Sequence, residues 1–103
     1  MSETAQELLA LIADTKLEDA LSDWLLARRD ISGFSSQTVY GHSETSQQFS
    51  LAEQVSGRQR RLMFHVHAQP AVIDALLADL RRDFKGSRLH YWRLPLSAAG
   101  TLE

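Results

Sequence analysis

Cysteine is absent from the 103 residues, so no disulfide framework, thiolate metal centre or cysteine nucleophile can be built. Long hydrophobic runs are also missing. The longest near the start, Leu8 to Ala13, falls short of the roughly 20 residues that cross a bilayer and lacks the basic flank of a signal peptide. A cytoplasmic location is the resulting expectation. Charge of one sign is scarce: the formal net charge of −2 supplies no overall attraction to nucleic acid or to an anionic membrane. There is no glycine-rich phosphate loop, no nucleophile elbow and no two-histidine zincin helix. What is present is ordinary for a globular chain, with 44% hydrophobic and 23% charged residues. This length and composition suit one core and therefore a single domain over residues 1–103.

The order of elements is read from periodicity. Leu8 to Ala13 has no polar alternation, as expected of a strand covered on both faces. Thr15 and Glu18 have capping-box spacing, and Leu17, Ala20, Leu21, Trp24 and Arg28 then recur at helical intervals, so a first helix should run to near Asp30, ahead of Gly33. Phe34 to Tyr40 alternates with a mostly polar outer surface, as in an edge strand. Gly41 to Gln59 is a long polar loop, a type that tends to be functional or mobile, with one possible helical turn at Ser50 to Glu53. Arg61 to Ala68 alternates Leu62, Phe64 and Val66 against Met63, His65 and His67. Pro70 suits a first helical position, and Ile73, Leu76, Leu77, Leu80 and Phe84 form an apolar stripe that closes at Gly86. Leu89 to Leu94 should be a short strand limited by Pro95.

The resulting order, β-α-β-β-α-β, predicts an α+β fold of the ferredoxin-like type, a four-stranded antiparallel sheet with two helices on one face. The absence of asparagine removes the arginine and asparagine pair that ferredoxin-like acylphosphatases use. Strand one is apolar on both sides, and strand four places Trp92 and Leu94 opposite Leu89 and Tyr91. The second face of the sheet therefore also needs a cover, and self-association supplies it most economically.

Two constellations carry possible chemistry. Arg58, Arg60 and Arg61 follow Gly57 at the foot of the long loop, where guanidinium donors suit phosphate or carboxylate; His42 and Glu44 in the loop are further ligand-binding candidates. His65 and His67 share one side of strand three about 7 Å apart, as two imidazoles near one metal ion would be. Arg81, Arg82, Lys85 and Arg88 cluster at the end of the second helix, where cations suit the helix dipole.

Several positions taken together, Gly33-Phe34, Gly41-His42-Ser43, Ser50, Glu53-Gln54-Val55, Gly57-Arg58, Phe64, Tyr91-Trp92, Pro95 and Gly100, resemble the bacterial family of small PII-like proteins over nearly the whole chain. The resemblance implies a ferredoxin-like fold and, by relation to PII signalling proteins and the CutA proteins, a homotrimer whose loop from Gly41 to Gln59 is similar to the PII T-loop. It also implies a regulatory module that binds a small ligand in clefts between subunits and a partner protein through that loop. PII proteins bind adenine nucleotides with a glycine-rich loop after the second helix, where this chain has Lys85-Gly86-Ser87-Arg88, so the ligand's identity stays open. A divalent metal-binding protein linked to metal tolerance and a small ferredoxin-like enzyme are the alternatives.

Overall fold

The structure is a computed structural model that describes residues 5–41 and 59–103. Within them the chain forms β1 (Gln6–Asp14), a 3-10 turn (Thr15–Leu17), α1 (Glu18–Leu26), β2 (Ser35–Gly41), β3 (Gln59–Ala68), α2 (Pro70–Asp83) and β4 (His90–Leu96). The strands lie in the order β2-β3-β1-β4, with every neighbouring pair antiparallel. This is the ferredoxin-like α+β plan that the element order predicts.

Register fixes which side chains share a face. Leu9, Leu11 and Ala13 of β1 lie opposite Val66, Phe64 and Leu62 of β3, and all six are buried under the helices. From above, α1 contributes Leu21 and Leu25, and α2 contributes Ile73, Leu76, Leu77 and Leu80. Fully burying one such side chain contributes about 2 kcal/mol, so this layer supplies most of the driving force for folding. Phe34 closes its margin, with its ring centroid 6.1 Å from that of Phe64.

The element ends differ from the expectations in instructive ways. Asp14, the last residue of β1, accepts a hydrogen bond from the Lys16 N–H at 2.9 Å, and a 3-10 turn occupies the place of the expected Thr15–Glu18 box. A carboxylate two residues upstream reaches that N–H through a local turn before a threonine cap can form. The first helix stops at Leu26 because the Arg28 N–H bonds the Leu25 carbonyl at 3.1 Å, a tightened final turn. β4 continues through Pro95 to Leu96, further than expected, since an edge strand has outward N–H positions where a proline costs nothing.

A polar and aromatic clasp joins the two helices. The Trp24 Nε1–H donates to Asp83 Oδ2 at 2.8 Å, while its ring meets Phe84 edge-on with centroids 6.0 Å apart. The Arg28 guanidinium stacks 4.9 Å over the same indole and pairs with Asp30 and Asp79, which holds the Asp30 carboxyl below its usual range. Arg82 grips Asp83 through Nε at 2.8 Å. The hydrogen bond from Arg82, and then that from Trp24, lower the Asp83 carboxyl from 3.8 to about 2.

A depressed carboxylate adds stability that is present above its unfolded value and is lost as pH falls through its folded value. Asp83→Asn keeps an acceptor for Trp24 but removes the charge. Thermal melts of the two proteins should therefore differ above pH 3.8 and converge as pH falls toward about 2. A gap that stays constant across that window would show that the charge adds nothing.

Candidate functional site

The face of the sheet away from the helices is covered by no described helix. Its central stripe is Leu8, Ala10 and Ile12 of β1, opposite Leu94, Trp92 and His90 of β4 and His67, His65 and Met63 of β3. Trp92 and Leu94 are 47% and 48% exposed, an unusual setting for large apolar side chains that lie next to each other on one surface. The strand register thus puts His65 and His67 on one face, as the alternation predicts. The His67 Nδ1 lies 3.2 Å from Gln6 Oε1, so one of its ring nitrogens already has a partner.

Sequence reasoning overlooks His90. It shares the open face with Trp92, its ring edge-on at a centroid distance of 5.2 Å, and the available signal is its even spacing from Trp92 and Leu94. Strand β1 separates it from His65 and His67. Among the described residues no group of three histidine, aspartate or glutamate side chains converges as a metal centre would require.

The arginine cluster is divided by the pleat. Arg61 lies opposite Val39 and Asp14 on the open face, whereas Arg60 lies opposite Tyr40 and points to the other side. Arg61 donates from Nε to the Ala13 carbonyl at 3.3 Å and from Nη1 to Gln59 Oε1 at 3.0 Å, so it staples β3 to β1. His42, Glu44 and Arg58 lie outside the described residues, as does the helical turn expected at Ser50 to Glu53.

A second feature is the seam between α2 and β4 on the helix side of the sheet. Its upper end, at the start of α2, is closed by Arg93, which donates to Glu7 Oε1 and to the Pro70 carbonyl and pairs with Asp74 at 2.7 Å. Its lower end is open, a cleft of about 300 Å³ floored by Leu77, Leu80, Phe84 and Tyr91. Arg81, Lys85 and Arg88 stand at its rim. These belong to the basic cluster that the sequence explains by the helix dipole alone, because an apolar floor contributed by another strand cannot be seen along one helix.

A family model described as a protein of unknown function (DUF3240) matches residues 3–103. The chain is similar to the crystal structure of a DUF3240 family protein from Shewanella baltica OS155, with 28% identity, a TM-score of 0.78, and coverage of 95% of this chain and 97% of that one. No curated protein matches the chain.

The Arg61 staple predicts a measurable cost of its own. Arg61→Ala frees the Ala13 carbonyl in a part-buried position, and one such hydrogen bond contributes about 1 kcal/mol. Urea denaturation should show an unfolding free energy lower by that amount, seen as a lower midpoint with an unchanged slope. An unchanged midpoint would mean that water replaces the guanidinium at no cost.

Proposed function

We propose that this chain, which belongs to the DUF3240 family, is a self-associating regulatory module that responds to a small ligand, rather than an enzyme. The observation that carries this reading is the open face of the sheet. Leu8, Ala10 and Ile12 form a continuous apolar stripe with half-exposed Trp92 and Leu94, and apolar patches of this kind on a surface usually mark an interface. A further copy of the chain is the simplest cover, and the resemblance to PII-like proteins favours a homotrimer. The same resemblance supports ligand clefts between subunits, with Arg58, Arg60 and Arg61 near the base of the loop, and a partner protein engaged through Gly41 to Gln59.

A second reading, a divalent metal-binding protein, is favoured by one specific observation. His65, His67 and His90 all project from the face that association would bury. Copies meeting there would combine imidazoles from separate subunits, which supplies the ligand number that one subunit lacks.

Light scattering at micromolar concentration should report an oligomer, with three times the chain mass expected. Leu94→Glu places a carboxylate in the contact, where a buried unpaired charge is costly, and should yield a folded monomer. A wild type that is already monomeric would sink the proposal. A thermal-shift series with nucleotides, zinc and copper then separates the two readings, because only a ligand that binds the native state raises the melting temperature. Stabilisation by metal alone, lost in His65→Ala, would favour the second.

A further inference from the structure

We propose that the open end of the seam between α2 and β4 binds a monomeric organic carboxylate with an apolar body, of medium chain length. The cleft has the two parts such a ligand needs. At about 300 Å³ it lies at the small end of the range for small-molecule sites. Its floor of Leu77, Leu80, Phe84 and Tyr91 offers a hydrocarbon surface to a chain. Its rim of Arg81, Lys85 and Arg88 offers only cations, since no carboxylate lines it among the described residues.

These cations differ from their neighbours. Arg82 and Arg93, on the same helix and the same seam, are both paired with acids. Arg81, Lys85 and Arg88 have no hydrogen-bond or ion-pair partner among the described residues. Position near the helix C-terminus makes cations favourable there, but it does not use up their donors. The Phe84 carbonyl at the end of the helix is instead capped by Ser87, whose N–H bonds it at 3.1 Å and whose hydroxyl also donates to it.

Backbone geometry adds an independent sign. The turn after α2 uses left-handed conformations at Gly86 (φ 84°) and at Arg88 (φ 61°). Glycine takes this conformation freely, whereas a residue with a Cβ is strained in it. An arginine held there gives up stability to put a guanidinium at the mouth of the cleft, the kind of strain that collects at ligand clamps.

The ligand class follows from the combination. Inorganic anions would satisfy the rim and waste the floor, and a neutral hydrocarbon would do the reverse. The inference rests on reading the chain as a ligand-responsive module and adds a second site, apart from the clefts proposed at the base of the loop, with its own ligand chemistry. It is separable from assembly because none of the rim residues lies on the open face.

The test is calorimetric titration of the full chain with butanoate, octanoate, octanol and inorganic phosphate, followed by backbone NMR of Gly86 to Leu89. Octanoate should bind and perturb those amides, with affinity rising roughly fourfold for each buried methylene between butanoate and octanoate. Octanol and phosphate should bind at least tenfold more weakly. Arg81→Ala with Lys85→Ala should weaken octanoate at least tenfold while the light-scattering mass stays unchanged and the melting temperature falls by only a few degrees, the loss expected from two cations at a helix C-terminus. Arg88→Gly should raise the melting temperature and lower octanoate affinity, two opposite shifts that a purely structural role for Arg88 would not produce. Octanoate silence to millimolar concentration, affinity independent of chain length, or binding only to anionic phosphatidylglycerol vesicles would each overturn the ligand assignment. An unchanged oligomer in that event would leave the proposed self-association standing.

Discussion

The apolar character of β1 on both of its faces is the constraint on which the molecule depends. The strand lies between β3 and β4, so its backbone is paired along both edges and its side chains alternate between two surfaces. On the helix side Leu9, Leu11 and Ala13 are completely covered. On the other side Ala10 is only 4% exposed in the single chain, because Trp92 and His65 flank it across the sheet. A central strand without polar alternation presents apolar side chains on both faces, and the helix layer covers only one of the two.

The helix layer is held to the sheet differently at its two ends. At the start of α2, charged groups close the seam: Arg93 connects β4 to Glu7 and Asp74. At the other end, aromatic stacking and the Trp24–Asp83 hydrogen bond lock α2 to α1, and the side toward β4 stays open. Only where no carboxylate enters does the seam keep unspent cations above an apolar floor.

Much of this plan is legible in the sequence, and the parts that are not have a common cause. Strand β3 and helix α2 follow strict periods of two and nearly four, so periodicity alone assigns Phe64 and His65, or Leu77 and Arg81, to their faces. The end of α1 and the turn at Thr15 depend on single hydrogen bonds from Arg28 and to Asp14, which compete with capping patterns of similar strength. Pro95 reads locally as a terminator because its position on an edge is a property of the whole sheet. For the candidate sites, alternation is enough to set Arg60 and Arg61 on opposite sides, although adjacency makes them look like one cluster. The union of the α2 rim with Tyr91 joins residues from separate elements, and no local pattern encodes it.

The two tryptophans fall in environments with unrelated fates. Trp24 is fixed between α1 and α2, bonded through its ring N–H and stacked beneath a guanidinium. Trp92 stands half-exposed beside an imidazole on the sheet face that no described helix covers. Excited at the red edge, where tyrosine does not absorb, the fluorescence of the chain is therefore the sum of two reporters, one that senses loss of helix packing and one that senses the environment of the sheet face. Replacing either indole by phenylalanine leaves a single-tryptophan protein, so unfolding and surface occlusion can be followed as separate optical signals without any attached label.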